Sequence, residues 1–267
     1  MARIAVAGAA GRMGRRICAL CTEYEGLELS GAFEVEGHPD IGKDMGVLSG
    51  LEANGVELTA GVESAIKKAD VLIDFTAPEA TIKNMEALAG TSTAFVTGTT
   101  GIDKDGQNRI AELALKVPCV YAGNMSLGIN LLTKIVADIA SALGDDYDVE
   151  VIEAHHKMKK DAPSGTALML AKAAADALGR NLDNDGVFSR HGIIGERGNK
   201  EIGVQTIRGG DVVGEHSVMF LGMGERIEVA HRVSNRDTFA RGALKAALWL
   251  SGKPAGLYNM QDVLGLK

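Results

Sequence analysis

Cysteine is scarce in this sequence, and its scarcity excludes one class of protein. The chain of 267 residues has three cysteines, an odd number that cannot form the disulfide framework of a small secreted domain. Proline occurs five times and aromatic residues make up 4% of the chain, so no proline-rich linker marks a domain boundary. This cysteine usage is typical of a reducing compartment, and we expect a cytoplasmic protein.

Positively charged residues are also fewer than negatively charged ones. Lys and Arg total 28 against 35 Asp and Glu, which gives a formal net charge of -7. We therefore expect no nucleic-acid partner and no membrane surface, and an anionic ligand must be bound by local positive groups. The apolar run at residues 4–7 is too short for a signal peptide, and we expect no apolar run of about 18 residues that would span a membrane.

The first 125 residues alternate short apolar runs with helix-like stretches. The apolar runs are residues 4–7, 27–34, 71–75, 94–97 and 119–122. This alternation predicts a parallel sheet with crossover helices, the first of which begins near Arg12. Cys18 and Cys21 fall on that helix. Their spacing would also suit redox or zinc chemistry, but no second Cys/His pair completes a site, so we expect core packing and no metal.

The pattern changes after about residue 127. A long helical stretch over residues 128–143 precedes short period-two segments at residues 148–153, 203–208, 214–220 and 226–233, which predict an α+β domain with a mostly antiparallel or mixed sheet. Residues 238–250 return to helical periodicity. The predicted fold is thus α/β, with a Rossmann-type dinucleotide-binding domain (residues 1–126 and 236–267) and an α+β substrate-binding and oligomerisation domain (residues 127–235).

A glycine-rich loop connects the first predicted strand to the first predicted helix. Gly8, Gly11 and Gly14 follow the G-x-x-G-x-x-G pattern, and the loop also contains Ala9, Arg12 and Met13. Glycines there allow the backbone to approach a pyrophosphate, which the helix N-terminus attracts. Glu34 ends the second strand, 20 residues after Gly14, where a carboxylate can accept the ribose hydroxyls of an adenosine. The alternative is a tight turn that binds no nucleotide.

Three more segments follow strand ends on the same side of the predicted sheet. They are residues 74–78, 98–101 and 122–126. Ligands of open α/β sheets bind at the carboxyl ends of the strands, although each segment alone could be an ordinary turn. The candidate cofactor contacts in them are Phe75, Gly98, Thr99, Thr100, Asn124, Met125 and Ser126.

The densest group of chemically active residues lies at residues 150–167. Adjacent His155 and His156 at a strand end point to different sides, so one can donate a proton while the other holds a ligand. Lys159 adds a positive charge, and Ser164, Gly165 and Thr166 begin a predicted helix whose free N–H groups would bind an anion such as a dicarboxylate. The alternative is a solvated lysine loop followed by an ordinary helix cap. We expect His38, His191, His216 and His231 to be isolated, with structural or surface roles.

Together these motifs resemble the 4-hydroxy-tetrahydrodipicolinate reductase (dihydrodipicolinate reductase) family over essentially the whole chain. The family segment E-x-x-E-x-H-H-x-x-K-x-D-x-P-S-G-T-A is matched at residues 150–167. The glycine loop and residues 74–76, 98–101 and 124–126 are similar to the family's cofactor and hinge segments. The resemblance implies NAD(P)H-dependent reduction of 4-hydroxy-tetrahydrodipicolinate in diaminopimelate and lysine biosynthesis, by a homotetramer.

The resemblance also implies roles for individual residues. His155 would be the general acid and Lys159 would hold the substrate and assist the proton transfer, while His156, Ser164, Gly165 and Thr166 would bind the carboxylates. One departure concerns the cofactor: members that prefer NADPH often have an arginine where this chain has Val35. We expect use of both NADH and NADPH, with NADH favoured. A sensor that binds nicotinamide without turnover and a reductase of another small imino dicarboxylate are the competing hypotheses.

Overall fold

A computed structural model of the chain describes residues 1–266. The described chain divides into two compact units, of which the first comprises residues 1–127 and 237–266 and the second residues 128–236. Each unit has its own sheet and its own apolar core.

The first unit is built on a seven-stranded parallel sheet. Its strands are β1 (Ala2–Ala7), β2 (Leu27–Glu34), β3 (Leu58–Ala60), β4 (Val71–Asp74), β5 (Ala94–Thr97), β6 (Pro118–Tyr121) and, near the C-terminus, β12 (Gly256–Tyr258). They lie in the order β12, β6, β5, β4, β1, β2, β3, and each neighbouring pair is parallel. The predicted Rossmann-type sheet is confirmed. The strands β3 and β12 were not predicted, because a strand of three residues is too short to show a period-two pattern.

Helices cover both faces of this sheet. They are α1 (Arg12–Cys21), α2 (Met45–Leu48), α3 (Val62–Ile66), α4 (Pro78–Ala87), α5 (Lys104–Ala114), α9 (Asp237–Leu250) and α10 (Met260–Leu264). Successive residues of β1 point to opposite faces, so Ile4 and Val6 belong to the core cluster beneath α1 and α9, while Ala5 and Ala7 belong to the cluster beneath α3, α4 and α5. Burial on both faces explains why the strands are nearly all apolar.

The three cysteines lie in these cores. Cys18, Cys21 and Cys119 are buried and unpaired, and burial raises the pKa of each thiol, to about 12 for Cys21. The prediction that Cys18 and Cys21 serve core packing is confirmed, since a buried thiol with a raised pKa is a poor nucleophile and metal ligand.

The second unit contains a five-stranded mixed sheet and helices that pack on it. Its elements are α6 (Leu127–Leu143), β7 (Asp148–His155), α7 (Gly165–Ala177), α8 (Leu182–Asp185), β8 (Gly186–Val187), β9 (Ile202–Arg208), β10 (Gly214–Leu221) and β11 (Arg226–Val233). The strand order is β11, β10, β7, β9, β8. The first two pairings are antiparallel and the other two parallel, so the sheet is mixed rather than mostly antiparallel. The reason is α7, because a helical crossover returns the chain parallel to β7.

One face of this sheet packs against α6 and α7. Val149 and Val151 on β7 and Val218 on β10 join apolar residues of both helices in one buried cluster. Glu153 and His155 follow on the same face of β7, at the same period of two, and are also buried. The apolar face therefore ends in two polar residues.

Helix α6 requires a correction to the sequence-based expectation about apolar runs. The stretch Leu127–Asp146 is long and apolar enough, by length and composition alone, to cross a membrane. Its Ile129, Leu132 and Val136 are buried in the core cluster of the second unit. A core helix of a folded unit passes the same test, so this stretch carries no conclusion about a membrane.

Candidate active site

The glycine loop of the first unit brings β1, α1 and the end of β4 into close approach. Gly8 has a φ of +59°, and a Cβ on it would lie 2.8 Å from Cγ2 of Thr76. A Cβ on Gly14 would lie 2.3 Å from the carbonyl oxygen of Gly8 and 2.6 Å from Cα of Ala9. Only glycine fits at these two positions, and the result is a helix that starts directly against the strand end.

Glu34 reaches the same loop from the end of β2. Its carboxylate accepts a hydrogen bond from the backbone N–H of Ala10 at 3.2 Å. Arg12 is exposed at the start of α1, and Val35 is 70% exposed. Arg15 donates from Nε to the carbonyl oxygen of Ala10 at 2.7 Å. The predicted ribose-binding acid therefore lies beside the predicted phosphate loop, with two arginines close by in the chain.

A buried carboxylate that the sequence analysis gave no role, Asp74, organises the next two loops. At the end of β4 it accepts hydrogen bonds from the backbone N–H and the hydroxyl of Thr76 at 2.9 and 2.7 Å, and from the hydroxyl of Thr99 at 3.2 Å. Thr81 and Asn84 of α4 also donate to it, at 3.0 and 2.7 Å. Its signal in the sequence was an acidic residue ending an apolar strand.

The remaining predicted cofactor residues lie on these loops or just after β6. The ring of Phe75 packs on Gly98 so closely that a Cβ there would lie 2.3 Å from a ring carbon. Thr99 is buried and Thr100 exposed. After β6, the side chain of Asn124 accepts from the backbone N–H of Ser126 at 2.9 Å, while Met125 is buried.

In the second unit, the central feature is the fully buried side chain of Glu153. Its Oε2 accepts from Nδ1 of His155 at 2.6 Å and from Arg208 at 2.7 Å. Its Oε1 accepts from Arg208 at 2.8 Å, from the backbone N–H of Ser164 at 3.0 Å and from the hydroxyl of Thr206 at 3.2 Å. One carboxylate thus connects β7, β9 and the start of α7.

The hydrogen bonds to Glu153 outweigh its burial. Burial alone would raise the pKa of this carboxyl, but the bonds from Arg208, His155 and the Ser164 backbone lower the pKa to about 2. Glu153 is therefore an anion at neutral pH and can only accept hydrogen bonds. For His155, burial is the largest influence and lowers the pKa of the imidazole, opposed by the bond to Glu153.

His216 was predicted to be isolated, and this prediction is wrong. It lies on β10 directly across from Glu153, with its ring 5.1 Å from that of His155 in an edge-to-face arrangement. Its Nε2 is 3.1 Å from the hydroxyl oxygen of Ser164. Antiparallel pairing of distant strands brings the two histidines together, and no local pattern reveals that register.

Ser164 is the N-cap of α7, as the sequence suggested. Its hydroxyl oxygen accepts from the backbone N–H of Ala167 at 3.1 Å, and the side chain is buried. Gly165 is exposed and Thr166 partly exposed at the first turn. The cap fixes a helix start that presents backbone N–H groups, although the Ser164 hydroxyl itself is engaged within the protein.

The other cationic residues of the segment lie in the loop between β7 and α7. Lys159 is half-buried and forms an ion pair with Asp161 at 2.8 Å, whereas Lys157 and Lys160 are exposed. His156 follows the end of β7, and its backbone N–H donates to the carbonyl oxygen of Val212 at 2.7 Å. The segment therefore combines a histidine that can transfer a proton, a lysine and a helix N-terminus within one unit.

Models of a single protein family match almost the entire chain. The model described as "Dihydrodipicolinate reductase, N-terminus" matches residues 2–125, and the model described as "Dihydrodipicolinate reductase, C-terminus" matches residues 128–264.

Individual relatives are similar in sequence to this chain over their full length. The proteins named 4-hydroxy-tetrahydrodipicolinate reductase from Geotalea daltonii and Geotalea uraniireducens are 51% and 52% identical over 267 residues, covering 100% of this chain and of each relative. A solved structure, dipicolinate-bound dihydrodipicolinate reductase from Paenisporosarcina sp. TG-14, is 26% identical with a TM-score of 0.76, covering 98% of both chains. An amine dehydrogenase from Mycobacterium smegmatis, 12% identical with a TM-score of 0.61 and covering 97% of this chain and 95% of its own, shares the fold.

Buried His216 should make the stability of the protein depend on pH. Burial, reinforced by the charge of His155, lowers its pKa from 6.5 to about 4. Between these values the unfolded chain binds the proton more readily, so stability falls as pH drops from about 6.5 to about 4. From pH 7 to pH 5 we expect this residue to account for a loss of about 2 kcal/mol.

Urea unfolding followed by circular dichroism at pH 7 and pH 5 measures this loss. The His216→Gln variant should lose less stability than the wild type between the two pH values. The matched control is His191→Gln, because His191 is exposed, and it should behave as the wild type does. Equal losses in all three proteins would contradict the low pKa of His216.

Proposed function

This chain belongs to the dihydrodipicolinate reductase family, and from that premise we propose that it reduces 4-hydroxy-tetrahydrodipicolinate to tetrahydrodipicolinate with a nicotinamide cofactor, in diaminopimelate and lysine biosynthesis. The predicted family and the predicted class, a nicotinamide-dependent oxidoreductase, are confirmed. The observation that carries the proposal is the buried carboxylate of Glu153, which holds both His155 and the N-terminus of α7 at Ser164. Glu153 thus holds both the proton donor, His155, and the anion-binding start of α7.

The residues of the first unit fit a nicotinamide dinucleotide. Gly8 and Gly14 have no side chain and so let α1 start directly against the end of β1, where its free N–H groups and dipole attract a pyrophosphate. Bound there, the cofactor supplies a hydride. The residues we assign to it are Gly8, Ala9, Gly11, Arg12, Met13 and Gly14 for the pyrophosphate, Glu34 for the adenosine ribose, and Phe75, Gly98, Thr99, Thr100, Asn124, Met125 and Ser126 for the nicotinamide half.

The second unit binds the dicarboxylate in this proposal. Lys159, His156 and the α7 N-terminus at Gly165 and Thr166 hold the two carboxylates, because each offers positive charge or N–H donors. Ser164 acts by capping this helix, since its hydroxyl is already engaged with Ala167 and His216.

His155 acts as the general acid. Loss of water removes the hydroxyl from one ring carbon and a hydrogen from its neighbour, and the reduction then adds a hydride to the first carbon and a proton to the second. Nδ1 of His155 faces Glu153, so Nε2 is the nitrogen left to give the proton to the substrate. Lys159 keeps the substrate carboxylate beside the ring and assists the transfer.

Replacing His155 should abolish most turnover while leaving the cofactor bound. We expect His155→Gln to lower kcat by about 100- to 10,000-fold, because general acid catalysis contributes that much, with an unchanged Kd for NADH. Steady-state oxidation of NADH with enzymatically generated 4-hydroxy-tetrahydrodipicolinate measures kcat, and calorimetry measures Kd. The control is His191→Gln, which should retain wild-type values.

The same assay separates the competing functions. A wild-type protein that binds NADH but shows no turnover with this substrate would be a sensor. One that turns over only other imino dicarboxylates would be a reductase of different specificity. Either result would contradict the proposal.

NADH should be favoured over NADPH, with both used. Glu34 can accept bonds from both ribose hydroxyls of NADH but repels the phosphate of NADPH, and Val35 supplies no compensating charge. Arg12 is exposed at the start of α1 and offers partial compensation. We expect Val35→Arg to shift the ratio of kcat/KM toward NADPH, because a guanidinium pairs with phosphate through two N–H bonds.

The matched control is Val35→Gln, which adds length without charge and should leave the ratio close to that of the wild type. Val35 is 70% exposed, so neither change disturbs the core. A strong NADPH preference of the wild type, or no shift in Val35→Arg, would show that another group contacts the 2' position.

We further propose a cytoplasmic homotetramer. The sheet face of the second unit that lies opposite the α6 and α7 cluster carries half-buried Ile152 and Met219, and Ile207 is 54% exposed. A second copy of the chain would cover this partly apolar face. Light scattering at micromolar concentration should give about four times 27.9 kDa. A mass of 27.9 kDa would contradict the assembly.

A further inference from the structure

We propose that Glu153 is the positioning residue of the reaction: it fixes the tautomer of His155, so that Nε2 is the proton-donating atom, and it holds the anion-binding start of α7 in register with that atom. The inference deepens the proposed function and rests on it for the role of His155. Glu153 is fully buried, so it acts through His155 and α7 and not by direct contact with substrate or cofactor.

The hydrogen bond between Glu153 and His155 has only one possible direction. Arg208 donates to both oxygens of Glu153, which is an ion that can only accept. Nδ1 of His155, 2.6 Å from Oε2, must therefore carry hydrogen in the neutral imidazole as well as in the cation. The proton that comes and goes is on Nε2.

Strand β10 lies beside Nε2 of His155. On neighbouring β10, a Cβ added to Gly214 would lie 3.1 Å from Nε2 and 3.5 Å from Cδ2 of His155. Glycine at this position leaves space beside the nitrogen, and any larger residue would crowd the imidazole. The ring is thus held at Nδ1 by Glu153, and β10 places no side chain against Nε2 at position 214.

Glu153 also links the proton donor to the anion site. Oε1 of Glu153 accepts from the backbone N–H of Ser164, the residue that caps α7. A shift of this carboxylate would move both the imidazole and the helix start. The substrate carboxylate and the carbon that receives the proton belong to one small ring, so their two anchors must keep a fixed distance.

The charge of Glu153 also sets the pH range in which His155 holds its proton. The charged or titratable groups that face His155 are Glu153 on β7, Lys159 in the following loop, Arg208 on β9 and His216 on β10. Only Glu153 among them favours the imidazolium. Without its charge, the pKa of His155 falls, and a reaction that needs the protonated imidazole loses activity at lower pH than in the wild type.

Two measurements test the proposal. In the wild-type protein, nitrogen-15 NMR of labelled histidine above the pKa of His155, with the signal identified from His155→Gln, should show the tautomer with hydrogen on Nδ1. In Glu153→Gln, kcat should fall by about 100-fold, the expected effect of a misplacement near 1 Å, and the alkaline decline of kcat/KM should move to lower pH.

The matched control is Glu150→Gln. Glu150 lies on the same strand and also forms a two-bond pair with an arginine, Arg190, at 2.9 and 2.8 Å, but on the opposite face of the sheet. Its loss should affect stability without moving the alkaline decline.

Hydrogen on Nε2 in the wild type, or an unchanged pH profile in a folded Glu153→Gln variant, would overturn the assignment. The NMR result does not depend on turnover, so it also tests the positioning role if the proposed substrate proves wrong. If Glu153→Gln does not fold, the tautomer of neutral His155 in the wild-type protein tests the proposal alone: hydrogen on Nδ1 supports it, and hydrogen on Nε2 overturns it.

Discussion

The buried ion pair between Glu153 and Arg208 is the interaction on which the second unit's site depends. A carboxylate without solvent is costly unless it is paired and fully hydrogen-bonded, and here both oxygens are satisfied by a guanidinium, an imidazole, a hydroxyl and a backbone N–H. Arg208 is partly exposed and Glu153 is fully buried, so removing the arginine is the costly change: it leaves a buried carboxylate without its charged partner, which typically costs about 3 to 5 kcal/mol. The same hydrogen bonds therefore position the residues of the site and stabilise the fold around them.

In the first unit a buried carboxylate also gathers hydrogen bonds, from uncharged donors rather than from an arginine. Asp74 is fully buried at the end of β4 and accepts from Thr76, Thr99 and Asn84, which belong to separate loops and a helix. In both units an acidic residue near the end of a central strand gathers segments distant in the chain. The loops that follow β4 and β5 gain a defined shape in this way, because Thr76 and Thr99 donate to the same carboxylate.

Much of this could be predicted from local sequence. The glycine loop, the strand before it and the helix after it form one continuous segment, so the close approach of Gly14 to β1 is specified by neighbouring residues. The N-cap Ser164 is likewise readable, because a cap and its helix are adjacent in the chain. The family resemblance added residue roles that periodicity cannot provide, and the family itself is confirmed.

The sequence by itself determined the Rossmann-type sheet, the glycine loop and the segment that carries His155 and Lys159, because each depends on residues within about one strand and one helix. Only the tertiary structure decided which strands of the second sheet pair in parallel, that His216 lies against His155, and that Glu153 faces Arg208. These depend on the pairing of β7 with β9 and β10, whose paired residues lie 53 to 73 positions apart in the chain. Strand register is set by packing across the whole sheet, and a shift of one residue would turn Glu153 and His155 to the opposite face.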